Sequence, residues 1–224
     1  MEFGVASQSR RAFDNSAEDV KRLLEIHSDL GGDATGRRHR LEVLNKSAIV
    51  LITALWEAYC EDLASEALEH LVSRVAEAST LPRELKKRIA REVKAETSDL
   101  AMWDLADSGW KAKTRGRLAT LTEERNRRLN TPKTANIDQL FADAIGLTLV
   151  SDRWHWPNMT VDTARKKLDA FVSLRGAIAH RGKDSTTCKK VQVEDYFDHV
   201  RRLVAKTGGG VNTFVRGVTG VGLW

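Results

Sequence analysis

Apolar residues recur at steps of three and four along most of this chain, the period of helices joined by short polar turns. Asn15 or Ser16 is placed to cap a first helix running to Leu30, where Gly31 and Gly32 stop it. A second, longer helix spans about Arg38 to Ala76, with Leu44, Ala48, Leu51, Leu55, Tyr59 and Leu63 as one apolar stripe. Ser79 and Thr80 before Pro82 open a third, strongly charged and expected at the surface, which ends near Glu96. The middle is less regular: a short helix around Leu100, Trp103 and Leu105, a break at Gly109, then a helix through Leu118, Leu121 and Leu129. Thr131-Pro132 forces an extended turn. Asn136 then caps a helix that buries Ile137, Leu140, Phe141 and Ile145 and stops at Gly146.

Trp154, His155 and Trp156 read as a loop packing aromatics onto the bundle. Thr160 or Asp162 caps a helix through Leu168, Phe171, Val172 and Ile178, and a last helix from about Val193 to Lys206 ends at Gly208 to Gly210. The division expected is one helical domain over 1–207 and a glycine-rich tail over 208–224, disordered or lying along a partner.

Composition agrees with an all-α fold. Only three prolines and 6% aromatics stand among 224 residues that are 42% apolar and 30% charged. Two cysteines, Cys60 and Cys188, make neither a disulfide framework nor a metal cluster and suit a reducing compartment. The amino terminus has no sustained apolar core of the kind a secretory signal carries. The longest apolar run, Ala48 to Trp56, is broken only by Thr53 and is about half of what a membrane span needs. A cytoplasmic protein without a membrane anchor is the expectation.

The net charge of +5 hides a strong asymmetry. Residues 111–133 hold eight Lys/Arg against Glu123 and Glu124, and residues 165–190 hold eight against Asp169 and Asp184. The remainder is therefore net acidic. Two basic segments fit an anionic partner such as RNA, or else two solvated helix faces.

Within the second segment lies Leu174-Arg175-Gly176-Ala177-Ile178-Ala179-His180-Arg181-Gly182. Residues five apart on an ideal helix are about 140° apart around its axis, so Arg175 and His180 do not share a face by spacing alone. A fixed cation lowers the pKa of a neighbouring imidazole, and a guanidinium grips phosphate oxygens in pairs. A base plus a phosphate clamp is a minimal kit for cleaving RNA through its own 2′-hydroxyl. Alone, Arg-x4-His is a weak signal and reads first as a helix-end histidine near a surface arginine.

Its neighbours extend the picture. The helix Leu55-Trp56-Glu57-Ala58-Tyr59-Cys60-Glu61-Asp62-Leu63, the turn Asn130-Thr131-Pro132 leading into Asn136 to Phe141, the tryptophans Trp154 and Trp156, and the final Arg175…His180 occur in that order. With this ordered set the chain resembles the HEPN superfamily, and within it the RiboL-PSP-HEPN-like families of bacterial defence and toxin–antitoxin loci.

The resemblance implies a helical bundle, no cofactor or metal, and endoribonuclease activity that leaves a 2′,3′-cyclic phosphate. It also implies a homodimer that brings two Arg–His pairs to one cleft, and a cognate antitoxin or nucleotidyltransferase as a possible partner. His180 matches the catalytic histidine and Arg175 the motif arginine. Arg181 and Lys183 would hold flanking phosphates. Gly176 stands where many active members carry a polar residue, which favours the alternative of a catalytically silent module binding RNA or a protein.

Three other residues are candidates near the site. Glu57 and Glu61, one turn apart, read as supports for a buried arginine such as Arg175, and Tyr59 as a core residue with a satisfied hydroxyl. His155 either stacks a base or packs a loop, and His27, His39, His70 and His199 lie on charged or mixed faces and suggest no ligand set. Glycine-rich phosphate loops, nucleophile elbows and His-Glu-x-x-His are absent, which disfavours NTPases, serine hydrolases and zincins.

Overall fold

The computed structural model describes residues 6–31, 39–117, 131–181 and 187–224. Among them are seven helices and no strand: α1 (Gln8–Gly31), α2 (His39–Arg74), α3 (Arg83–Ala95), α4 (109–117), α5 (Thr134–Ile145), α6 (Val161–Arg181) and α7 (Lys190–Thr219). The all-α expectation holds. The helix read through Leu118, Leu121 and Leu129 falls outside the described residues beyond 117.

α2 is the axis of the bundle. Its buried line runs through Ile49, Ile52, Trp56, Cys60, Leu63, Ala67 and Leu71, widened by Ala48, Tyr59, Ala64, Leu68 and Val72. Leu44, Leu51 and Leu55, expected at the centre of the stripe, are only half-buried at its edge. The reason is that α2 is covered on several sides, so the most sheltered face is set by its neighbours. α2 is also the described helix apolar enough by length and composition to cross a membrane, but those apolar residues pack inside the bundle.

Polar tethers fix how the other helices run past it. Asn45 donates to the Cys188 carbonyl at 2.9 Å, Thr53 meets the Tyr196 hydroxyl at 3.0 Å, and the Tyr59 hydroxyl donates to the Val204 carbonyl at 2.9 Å. Rising numbers on α2 meet rising numbers on α7, so these two helices are parallel. α6 contacts α7 through Ala164–His199, Lys167–Asp195 and Phe171–Tyr196, which makes it antiparallel to both.

Several helix ends differ from the sequence reading. α1 begins seven residues before Asn15, because Ser7 accepts from the Arg10 amide and the Glu66 carboxylate of α2 accepts from the Gln8 and Ser9 amides. Asn136 does not cap α5. Its side chain donates back to the Thr131 carbonyl, while Asp169 of α6 takes the Thr134 amide at 2.8 Å. α3 is charged as expected, yet buries Leu85, Ile89 and Val93 on one face.

The largest correction concerns the last helix, which does not end near Lys206 ahead of the glycines at 208–210. α7 runs through Gly208, Gly209 and Gly210 without interruption and stops at Gly220, which takes the left-handed conformation at φ 76°. Two of the three glycines serve close approaches: a Cβ on Gly208 would lie 2.6 Å from the Tyr59 hydroxyl, and one on Gly210 would lie 2.9 Å from Arg153 Cγ. Beside them the buried Trp154 donates its indole N–H to Thr207 Oγ1 at 2.9 Å. Beyond α7, Leu223 N donates to Asn212 Oδ1 and His70 Nε2 bonds the Val221 carbonyl, which folds the last residues back onto α7 and α2.

This packing sets a paired prediction. Gly209 is exposed and a Cβ there meets nothing within 4 Å, so Gly209→Ala raises the unfolding free energy by about 1 kcal/mol through helix propensity alone. Gly208→Ala lowers it, because the Tyr59 hydroxyl must leave its bond to Val204. Urea unfolding of both variants checks the opposite signs.

Candidate functional site

Arg175 and His180 both lie in α6, which continues to Arg181. An unbroken helix keeps their directions about 140° apart and their Cα atoms about 7.5 Å apart along the axis. The side chains of His180 and Arg181, and all of Lys183, lie outside the described residues.

Arg175 is half-buried, and its Nε is sheltered from solvent. It stands one turn after Phe171 on the same face of α6. The Phe171 ring stacks flat on Tyr196 of α7, centroids 4.2 Å apart and planes 14° apart. Tyr196 is fully buried, and its hydroxyl meets Thr53 on α2. Burial pushes the Tyr196 phenol far above its ordinary range, and the Arg175 charge pulls in the opposite direction. The Arg175 charge is thus felt at Tyr196, a residue that sequence reasoning missed. Only the antiparallel register of α6 against α7 reveals it.

Among the remaining candidates, Glu57 and Glu61 lie on α2 one and two turns past Thr53, both half-buried. Tyr59 is a core residue as expected. Phe13 of α1 meets it edge-on at 5.7 Å, its hydroxyl is satisfied by Val204, and burial raises its pKa well beyond the usual phenol range. Trp154 is buried against Trp56 and Trp156 lies against His199, whereas His155 between them is exposed.

Space and charge narrow the surface further. A Cβ built on Gly176 meets nothing within 4 Å among the described residues, so these leave room on α6 beside Arg175. The cleft of about 490 Å³ between α1 and α2 is lined by Asp62, Glu66 and Glu69 with Gln8, Ser9, Ala12 and Ser65, and it repels phosphate. Burial and the neighbouring Glu66 raise the Asp62 pKa there.

The basic segments are not simply free cations. Lys113 pairs with Glu96, Arg115 bonds both oxygens of Glu69, and Arg117 bonds both oxygens of Glu92. Arg165 pairs with Asp152 and Lys167 with Asp195. Acidic residues distant in sequence thus offset much of the positive charge among the described residues. At the carboxyl end of α6, Arg181 and Lys183 remain as basic neighbours of His180 in sequence.

His199, expected on a mixed face, is instead 3% exposed. Its Nε2 bonds the Ala164 carbonyl at 3.1 Å, which ties α7 to α6, and its Nδ1 is buried without a hydrogen-bond partner. Burial first, then the charge of Lys167, lowers its pKa to about 4.

Residues 14–209 match the family described as RiboL-PSP-HEPN. No curated protein and no solved structure matches the chain.

The depressed His199 pKa sets a pH dependence. The imidazole is neutral in both states above about pH 6.5, so it contributes nothing to the slope there. As pH falls from about 6.5 to about 4, the unfolded chain takes the proton first, and stability drops by about 3 kcal/mol from this group. His199→Gln, which keeps a donor for Ala164, flattens that slope in chemical unfolding measured between those pH values.

Proposed function

Because the chain belongs to the RiboL-PSP-HEPN family, we propose that it is a metal-independent endoribonuclease whose working groups are Arg175 and His180. The observation that carries this reading is their common helix. On α6 Arg175 lies one turn after the Phe171 that stacks on Tyr196, and a Cβ on Gly176 would meet no described residue within 4 Å.

In the proposed reaction a neutral His180 takes the proton from a ribose 2′-hydroxyl. That oxygen attacks the adjacent phosphorus, the bond from phosphorus to the 5′-oxygen breaks, and the departing oxygen takes a proton from a second acid. The products are a 2′,3′-cyclic phosphate and a 5′-hydroxyl. Arg175 balances the charge that grows on the non-bridging oxygens. One helix with its two groups about 140° apart cannot place base, clamp and acid around one phosphate. A two-fold symmetric homodimer supplies the missing wall and a second His180 without any new residue. Arg181 and Lys183 then hold flanking phosphates.

The biological setting that goes with this reading is a toxin or phage-defence effector in the cytoplasm, held in check by a cognate antitoxin or nucleotidyltransferase. Buried thiols at Cys60 and Cys188, not joined to each other, suit that compartment. One observation favours a second reading. Gly176 leaves no polar side chain after Arg175, as in a silent module that binds RNA or a protein without cutting.

Mutation separates the two. His180→Ala lowers RNA cleavage by roughly two to four orders of magnitude, and Arg175→Ala by about 3 kcal/mol in transition-state stabilisation. Excess EDTA leaves the wild-type rate unchanged. Cleavage of total RNA by His180→Ala at the wild-type rate refutes the nuclease reading.

A further inference from the structure

We infer that the outer face of α3 is a docking strip for the RNA backbone, an inference that rests on RNA as the ligand in the reading above. α3 carries Arg83, Lys86, Lys87, Arg88, Arg91 and Lys94 against only Glu84 and Glu92. Its apolar residues Leu85, Ile89 and Val93 are buried on one side. Steps of four from Arg83 reach Lys87 and Arg91 on the opposite side, with Lys94 one step of three beyond. These four cations and Lys86 are all exposed. The carboxylates nearby are engaged elsewhere or once only: Glu92 turns to Arg117 of α4, and Glu84 pairs with Lys87. Arg83, Lys86, Arg91 and Lys94 make no ion pair among the described residues, and Lys86 Nζ donates only to the Ser79 carbonyl, at 2.6 Å. In the 111–117 stretch the reverse holds, since Lys113, Arg115 and Arg117 each face a glutamate. Unpaired positive charge thus gathers on a helix outside both basic segments of the sequence.

The class of ligand follows from what the strip offers and what it lacks. Cations at steps of four stand about 6 Å apart along the axis, and Arg83 to Lys94 spans about 16 Å. A line of unpaired charges suits a polyanion whose own charges repeat along a line, and the two arginines can each grip phosphate oxygens in pairs. The apolar residue among these cations is Ala90, so the strip has no large side chain with which to enter a lipid surface or anchor a protein partner. α3 meets α5 through Arg88 and Asp143, and α5 meets α6 through Thr134 and Asp169. The strip is therefore one helix removed from Arg175. It adds affinity for the strand without touching the reacting phosphate, so it binds ground state and transition state alike.

The test follows binding of a fluorescein-labelled single-stranded RNA by anisotropy, with 2′-O-methyl sugars so that no 2′-hydroxyl is left to attack. Three full-length proteins are compared. One is the wild type, and one combines Arg83→Gln, Arg91→Gln and Lys94→Gln. The third combines Arg11→Gln, Arg22→Gln and Arg202→Gln, which removes the same charge from exposed arginines of α1 and α7 that make no ion pair among the described residues. Glutamine is a good helix former and all six positions are exposed, so both variants keep the fold. Between about 50 and about 200 mM salt, the slope of log K against log salt falls by about 2 in the α3 variant, or about 0.7 for each lost phosphate contact. Its affinity weakens about tenfold or more, while the α1/α7 variant loses less than about 0.5 of slope. On cleavable RNA the α3 variant raises KM and leaves kcat within about twofold.

Equal losses in the two triple variants overturn the inference, because net charge and not α3 then holds the RNA. So does an unchanged slope in the α3 variant. Wild-type binding to phosphatidylserine vesicles that the α3 variant loses, while it keeps its hold on RNA, assigns the strip to lipid and overturns it as well. If the wild type cuts no RNA while the slope still falls as expected, the nuclease reading fails and α3 stands as the RNA-docking face of a silent module.

Discussion

The parallel register of α2 and α7 is the constraint on which the rest depends. Asn45, Thr53 and Tyr59 each reach across to α7 or the residues leading into it, at Cys188, Tyr196 and Val204. A slip of one residue would turn these polar groups away from their partners and leave them buried and unpaired, at about 1–3 kcal/mol each. Apolar packing alone tolerates small slides between helices; buried hydrogen bonds do not. α1 and α6 then lie antiparallel to this pair, α1 fastened through the Glu66 carboxylate at its amino terminus.

The candidate site inherits its geometry from that register. Because Tyr196 is fixed against Thr53, the Phe171 stack fixes α6, and Arg175 takes its place one turn on. The same packing decides where positive charge counts. Glu69, Glu92 and Glu96 reach Arg115, Arg117 and Lys113, so these three described cations of a segment that looks like an RNA-binding strip in sequence are spent on intramolecular ion pairs. Surface pairs of this kind add little stability, roughly 0–1 kcal/mol each, yet they reduce the field available to a polyanion.

How much of this is legible in the sequence depends on the range of the interactions. α2 and α6 can be read because their starts, stops and apolar periods are local, and α5 by its apolar period and its stop at Gly146, though not by its start, where Asp169 of α6 takes the Thr134 amide. The start of α1 cannot, since half of its cap is a carboxylate from another helix 58 residues away. The glycine run looks like a helix stop because its reason, the approach of Tyr59 and Arg153 to bare backbone, lies in tertiary packing. Arg175 and His180 are visible as an ordered motif, but Tyr196 is not, because nothing in its local sequence distinguishes it from any core tyrosine. His199 misleads for the same reason: its burial comes from α6 and Trp156, not from its own helix.

The central claim is a chemical one, that RNA is cut by its own 2′-hydroxyl with Arg175 and His180 in attendance. The most direct measurement is the identity of the new ends when a defined RNA is incubated with the wild-type protein in EDTA and the fragments are weighed by mass spectrometry. The expected ends are a 2′,3′-cyclic phosphate on the upstream fragment and a 5′-hydroxyl on the downstream one. Fragments ending in a 3′-hydroxyl with a 5′-phosphate, or an RNA recovered intact, would contradict it.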